Sequence, residues 1–364
     1  MVKPSFPRRT TKPILIGRVQ VGGGAPVVVQ SMTKTPTHDV AATVAQIRRL
    51  AKAGCEIVRL AVPDRRAAAA LSEIKKRVSV PLVADIHFDH RLALAALGAG
   101  VDGLRLNPGT IGPRDGVRRV VAEAKERAVP IRIGVNSGSL EKRLLARHGG
   151  ATAGAMAESA LGHIRLLEGL GFDLIKVSLK ASDVARTVEA HRILADKVPY
   201  PFHLGITEAG NLENGVIKSS VGLGILLAEG LGDTIRVSLT APPEDEVRVA
   251  YAILRSLGLR SRGIDLITCP TCGRVEVDLM KYAAAVAKKL QSIEAPLTVA
   301  LMGCAVNGPG EAREADIGIA CGRGRGALFR KGKLVRRVGA DRIVAELVAE
   351  VKKLAAEGSK AKEA

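Results

Sequence analysis

The stretch DVAATVAQIRRLAKAGCEIVRLAV, residues 39–62, decides the fold. It begins at Asp39, a good helix N-cap, and carries apolar residues at helical spacing. A short β-branched run, CEIVRLAV, then takes over. Working outward, the same alternation fills residues 25–257. The runs are APVVVQSM, CEIVRLAV, VPLVADIH, DGLRLNPG, VPIRIGVN, DLIKVSLK, PFHLGITE and DTIRVSLT, with Ala-rich segments such as DVARTVEAHRILADKV between them. Eight strand-helix units over about 230 residues match a (β/α)8 TIM-type barrel in count and size. A doubly wound sheet is the competing α/β arrangement, because periodicity does not show closure.

Side chains alternate faces along a strand, so each run splits by parity. One face is apolar: Val58, Leu60, Leu104, Leu106, Ile131, Ile133, Ile175, Val177, Ile235 and Val237. It is expected to meet the surrounding helices. The other face carries Arg59, Asp85, His87, Arg105, Asn107, Arg132, Asn136, Lys176, Ser178, Lys180, His203, Thr207, Arg236 and Ser238. It points into the barrel. Core ion pairs explain any one of these residues as well as a binding role does. They do not explain the set. Six cations, Arg59, Arg105, Arg132, Lys176, Lys180 and Arg236, converge on the C-terminal strand ends, where such barrels hold their active sites. Asp85 and Glu208 are the evident counter-charges. Desolvating that much like charge is costly unless an anion neutralises it, and a ligand with more than one phosphate does so through bidentate Arg contacts.

Composition agrees. The 364 residues are 47% hydrophobic and 25% charged, which suits a globular chain of roughly two domains. The net charge of +19 points to an anionic partner. Only 2% of residues are aromatic and Trp is absent, so base-stacking platforms are hard to assemble and a nucleic-acid role is disfavoured. Arg8 and Arg9 are followed only by PILIG, too brief for an export signal. No run approaches the roughly 18 apolar residues of a membrane span. The expectation is a cytoplasmic protein with reduced thiols and no membrane partner.

A second unit follows the barrel. Residues 1–258 are assigned to the barrel, 259–357 to a smaller α+β domain, and 358–364, GSKAKEA, to a disordered tail. The smaller domain runs through the strand GIDLITCP, a helix EVDLMKYAAAVAKKLQS, the strand LTVALMG, the strand ADIGIACG and a hairpin ALFRKGKLVRRV turning at Lys331-Gly332-Lys333. Its seven Lys and Arg from Arg323 to Arg337 read as a solvated face or a docking surface for an acidic protein.

Cys269-Pro-Thr-Cys272 directly follows one strand of this domain, and Cys304 directly follows another. Two strand ends can thus aim three thiols at one point. Zinc and a 4Fe-4S cluster both suit that set, whereas a thioredoxin-like pair lacks its βαβ context. Three thiols leave a fourth position, for which Cys321 and Glu311 are the candidates. Cys321, mid-strand, and Cys55, at a strand start, read as buried small apolar residues.

CPTCGR followed by GCAVNGPGEA resembles the cluster motif of the 4-hydroxy-3-methylbut-2-en-1-yl diphosphate synthase family of the bacterial non-mevalonate isoprenoid pathway. The resemblance extends through VQSMT, VADIHF, LRLNPG, IRIGVNSGSL, KVSLKASD, HLGITEAG, IRVSL and SRGI, with no departure in these motifs. The short linker after the eighth strand matches the family's two-domain form, without the inserted domain of plant-like members.

The resemblance implies reductive opening of 2-C-methyl-D-erythritol 2,4-cyclodiphosphate, with electrons passed from flavodoxin or ferredoxin through a 4Fe-4S cluster. By motif position Arg59, Arg105, Asn107, Arg132, Asn136, Lys176, Lys180, Arg236 and Ser238 become substrate contacts, with Asp85, His87 and His203 beside them. Glu208 becomes the acid-base residue. Cys269, Cys272 and Cys304 become cluster ligands. Glu311 is expected as the fourth, because Gly308, Pro309 and Gly310 permit a sharp turn back to the cluster and a carboxylate leaves iron more readily than a thiolate. The family also implies a homodimer in which one chain's cluster domain closes over the other's barrel. The rivals are a pterin-binding barrel synthase, which needs no cysteine trio, and a zinc-ribbon nucleic-acid binder.

Overall fold

The computed structural model describes residues 6–107 and 109–363, so Pro108 of LRLNPG and Ala364 of the tail lie outside the described residues. They fall into two compact units, 6–260 and 261–363.

The first unit opens with a hairpin, β1 (Ile14–Ile16) and β2 (Val19–Val21). Eight parallel strands follow: β3 (Val28–Met32), β4 (Ile57–Ala61), β5 (Leu82–Asp85), β6 (Gly103–Leu106), β7 (Ile131–Asn136), β8 (Ile175–Lys180), β9 (His203–Leu204) and β10 (Thr234–Ile235). The order β8-β7-β6-β5-β4-β3-β10-β9 runs round a ring, and the parallel bridge Val177–Phe202 carries it from β8 to the segment entering β9. The fold is a TIM-type barrel.

Helices alternate with the strands: α1 (Val40–Lys52), α2 (Arg65–Lys76), α3 (His90–Gly98), α4 (Arg114–Glu126), α5 (Lys142–His148), α6 (Ala153–Gly169), α7 (Val184–Ala195), α8 (Leu212–Ala228) and α9 (Pro243–Ser256). Asp39 and Asp183 cap α1 and α7 by accepting from the Ala42 and Arg186 amides at 3.0 and 2.6 Å. A carboxylate there satisfies one of the free first-turn N–H groups. The apolar parity set from Val58 to Val237 is buried between strands and helices, as the alternation requires.

The hairpin was not legible as strands, and it forms the barrel floor. Ile14, Ile16 and Val21 pack on Val28, Ile57 and Val83, the inward residues at the N-terminal ends of β3, β4 and β5. Arg8 and Arg9 fasten the leading segment. Arg8 donates to the Gly232 carbonyl at 3.1 Å, and Arg9 stacks 4.2 Å over the Phe202 ring.

The second unit is a five-stranded sheet ordered β11 (Ile264–Thr268), β12 (Leu297–Met302), β13 (Ile317–Gly322), β14 (Arg325–Arg330) and β15 (Lys333–Gly339). The first three strands are parallel and the last two antiparallel. Helices α10 (Leu279–Leu290) and α12 (Ile343–Glu363) cover one face through Val286, Leu290, Leu347 and Val351. The short helix α11 (Gly308–Glu314) packs on the sheet through Ala312, against Ala320 and Phe329. Lys331 and Gly332 both take positive φ, 46° and 77°, as a two-residue hairpin turn requires.

Two expectations change. Residues 358–363, expected as disordered tail, continue α12 through Glu363, because Ala, Lys and Glu favour helix strongly. NGPG is not a reversal: Gly308, Pro309 and Gly310 form the first turn of α11, where Pro suits the opening positions. Neither glycine has positive φ. Gly308 is needed for close packing, since a Cβ there meets those of Met302 and Ala320 at 3.1 and 3.2 Å.

Candidate active site

The C-terminal ends of the barrel strands surround a cavity of about 160 Å³. Neighbouring parallel strands in register point paired residues to the same side. The ladders set Asp85 beside Arg105, Arg105 beside Arg132, and Asn136 beside Lys180. Arg59, Arg105, Arg132, Lys180 and Arg236 bring five positive charges to the lining. Asp85, His87, Asn136, Thr207 and Ser238 complete it.

Asp85 is the hub. Its carboxylate accepts from Arg105 Nη1 at 3.2 Å and pairs with Arg59 Nε at 3.5 Å, with His87 Nε2 at 3.4 Å. Burial pushes the carboxyl up, but Arg59, the His87 hydrogen bond, Arg105 and Arg132 outweigh it and hold Asp85 well below the usual carboxylate range. Arg105 Nη2 donates to the Gly134 carbonyl at 3.0 Å. Arg132 Nη1 donates to Ser178 Oγ at 2.6 Å.

Asp85 in the lining and Glu246 of α9, which pairs with Arg236 at 3.5 Å, leave the five cations in excess. Burial lowers Arg59 to about 10, and Arg236 and Arg105 add to that. Burial and the charge of Arg132 push Lys180 well below its ordinary value. Arg105 Nε, Arg132 Nε and Nη2, and Arg236 Nε are buried donors with no partner among the described residues. Unpaired buried donors on like charges are costly, and a polyanion with phosphate oxygens removes both costs at once.

Four other residues singled out from the sequence stand elsewhere. Lys176 and His203 face the barrel interior but do not line the cavity; the His203 ring is fully buried, with Nδ1 2.7 Å from Thr234 Oγ1. Burial first, then Lys180 and Arg132, push that imidazole well down. Asn107 Oδ1 accepts from the Gly134 amide at 3.0 Å, stitching β6 to β7. Glu208 is exposed on the loop between β9 and α8, with φ 51°.

Sequence reading missed three contributors. Met32 Sδ accepts from Arg59 Nη2 at 2.9 Å. Its inward parity in APVVVQSM was the available signal. Gly134 and Gly205 make room for cations: a side chain at Gly134 collides with Arg105, and one at Gly205 comes within 2.6 Å of Lys180 Nζ.

In the second unit, Cys269 follows β11 and Cys304 follows β12, and these strands pair through Thr268 and Leu301. Gly303 N donates to Cys269 Sγ at 3.4 Å. The exposed loop carrying Cys272 folds back over Gly303, whose carbonyl accepts from the Glu276 amide at 3.3 Å. A Cβ at Gly303 meets Val275 at 3.1 Å, so glycine allows this closeness. The donor set at this corner, three thiols on converging segments, suits iron in type. Among the described residues no three His, Cys, Asp or Glu side chains stand together in a ligating arrangement, and Glu311 lies exposed on α11. Cys321 and Cys55 are buried in the two apolar cores.

Comparison with known proteins places this geometry. Residues 11–251 match the GcpE TIM-barrel domain, and residues 265–353 match the GcpE protein C-terminal domain. The chain is 61% identical over 347 residues to the 4-hydroxy-3-methylbut-2-en-1-yl diphosphate synthase (flavodoxin) of Geobacter sulfurreducens, covering 95% of this chain and 98% of that one. It is 59% identical over 350 residues to the protein of the same name from Geobacillus kaustophilus, covering 96% and 94%. Among solved structures, the dihydropteroate synthase of Yersinia pestis aligns at 13% identity with a TM-score of 0.49, covering 68% of this chain and 98% of that one; at that level the likeness carries no functional argument. With both of its domains matched in order along nearly the whole chain, this protein belongs to the GcpE family.

Proposed function

We propose that this protein converts 2-C-methyl-D-erythritol 2,4-cyclodiphosphate to (E)-4-hydroxy-3-methylbut-2-en-1-yl diphosphate in the non-mevalonate isoprenoid pathway, with flavodoxin as electron donor. The observation that carries the reading is the barrel mouth, where five cations line a cavity whose lining holds one carboxylate, and where four buried guanidinium nitrogens lack partners among the described residues. The printed names of the relatives, 4-hydroxy-3-methylbut-2-en-1-yl diphosphate synthase (flavodoxin), give the same product and the same electron donor.

In this reading Arg59, Arg105, Arg132, Lys180 and Arg236 bind the diphosphate, and Asn136 and Ser238 add hydrogen bonds. Asp85 holds Arg59 and Arg105 in place before the ligand arrives, which lowers the ordering cost of binding. Lys176 and His203 support the floor of the same site, and Asn107 fixes the β6–β7 edge. Opening the ring and losing the C3 oxygen as water consumes two electrons and two protons. Glu208 delivers a proton to that departing oxygen. Its left-handed backbone at a non-glycine position supports a functional role, because such positions collect at active sites.

A 4Fe-4S cluster held by Cys269, Cys272, Cys304 and Glu311 supplies the electrons when bound. The places of Cys269 and Cys304 after the paired strands β11 and β12, with Cys272 on the loop that follows Cys269, support the cysteine part of this assignment. A homodimer fits the same reading: Ile217, Val221 and Ile225 form an exposed apolar row on α8 that a second copy would cover. No described helix is long and apolar enough to cross a membrane, and we assign the enzyme to the cytoplasm.

The test is anaerobic preparation of the full chain, iron and sulfide analysis, and turnover with reduced flavodoxin. Near-stoichiometric 4Fe-4S content and formation of the linear allylic diphosphate are expected. Colourless, zinc-loaded protein that leaves the cyclic diphosphate intact contradicts the reading.

A further inference from the structure

The barrel has a seam where its first and last strands meet. β10 pairs with β3 only through Thr234–Val28 and Ile235–Val29. Above that point Arg236 and Ser238 line the cavity, yet no ladder ties their backbone to β3. A side chain from α9 takes over. Glu246 lies in the first turn of that helix, 1% exposed, and does not line the cavity.

Its two oxygens gather four donors. Oε2 accepts from Ser31 Oγ of β3 at 2.9 Å and from Arg236 Nη2 at 3.5 Å. Oε1 accepts from the Leu239 amide at 3.1 Å and pairs with Lys34 Nζ at 3.3 Å. Lys34 Nζ also donates to the Leu239 carbonyl at 2.7 Å. A carboxylate offers about four lone-pair sites, and here each meets a donor. A buried ion pair whose remaining sites are all satisfied is the case in which burial is tolerated. The helix's positive end favours a carboxylate in this first turn as well.

The consequence falls on Arg236. One edge of its guanidinium is held by Glu246 from behind, while its Nε is buried and lacks a partner among the described residues. We infer that Glu246 is a positioning residue for anion binding: acting through Arg236 and not by touching the ligand, it fixes that guanidinium toward the cavity and locks the β3–β10 seam. Asp85 does the same for Arg59 and Arg105 from within the cavity, so two carboxylates preorganise three of the five cations. This inference rests on the cationic-cradle reading above.

A double-mutant cycle separates the two. Calorimetric titration of the full chain with inorganic pyrophosphate compares wild type, Glu246→Gln, Arg236→Ala and the double variant. Coupled neighbours are non-additive, so Glu246→Gln should weaken binding about tenfold alone and less than about twofold in the Arg236→Ala background. Equal losses in both backgrounds, or no loss in either, overturn the positioning role. Glu246→Asp, which keeps the charge but withdraws it by one methylene, should show the same coupling if the amide variant fails to fold. Arg105→Ala, measured alongside, tests the cradle itself, because it should lose affinity whether or not Glu246 is coupled to Arg236.

Discussion

Gly134 and Arg105 share one space: the Gly134 carbonyl accepts from Arg105 Nη2 at 3.0 Å, and any side chain at Gly134 would take the place the guanidinium occupies. Gly134→Ala should therefore act as a charge-displacing substitution. Overpacking of this kind costs about 1–3 kcal/mol, read as a lower thermal midpoint, and the displaced Arg105 should also weaken pyrophosphate binding. A variant that binds pyrophosphate as wild type does would show that Arg105 does not need this space.

Glu208→Gln keeps the shape of the side chain and removes its acid. Cluster content and substrate affinity should be retained while turnover falls by roughly 100-fold or more, the effect of removing a general acid. Turnover near the wild-type rate with reduced flavodoxin in excess would take Glu208 out of the reaction.

His191 of α7 is fully buried, its Nδ1 2.8 Å from the Thr187 carbonyl and its ring edge-on to Phe202. Burial pushes the imidazole down to about 4; Lys180 and Arg9 push the same way and the Thr187 carbonyl opposes them. The unfolded value lies near 6.5, so on acidification the unfolded chain takes up this proton before the folded one does. Stability from the neutral ring is present above pH of about 6.5 and is lost as pH falls towards about 4. Denaturant unfolding of the barrel at pH 7 and pH 5 should show the loss, and His191→Leu should reduce it. The same pH slope in both proteins would assign the loss to other groups.

The two buried cysteines and the strand-end cysteines should behave oppositely. Cys321→Ala removes a core thiol and should leave iron content unchanged, whereas Cys269→Ala should strip the cluster. Loss of iron from Cys321→Ala with retention in Cys269→Ala would exchange their roles.

How much of this was legible follows from range. Strand parity is local, so it separated Leu60 from Arg59 and predicted the inward row from Arg59 to Ser238. Parity reports direction but not depth. Lys176 and His203 point inward as expected yet lie outside the cavity lining, because depth depends on ladder stagger between distant strands. β1 and β2, three residues each, are too short to show a period. NGPG, expected as a turn, opens α11 instead, because Gly308 packs closely on Ala320, a long-range contact that the local sequence does not show. Glu246 carried no signal, since its partners Ser31, Lys34 and Arg236 come from distant parts of the chain.

The central claim is that the cationic barrel mouth is where the cyclic diphosphate binds. Its most direct test is the affinity of cluster-loaded wild type and Arg105→Ala for 2-C-methyl-D-erythritol 2,4-cyclodiphosphate, measured anaerobically by calorimetry. Removing a charged hydrogen-bond partner should cost about 2–3 kcal/mol of binding, with iron content unchanged. Equal affinity of the two cluster-loaded proteins would contradict the account.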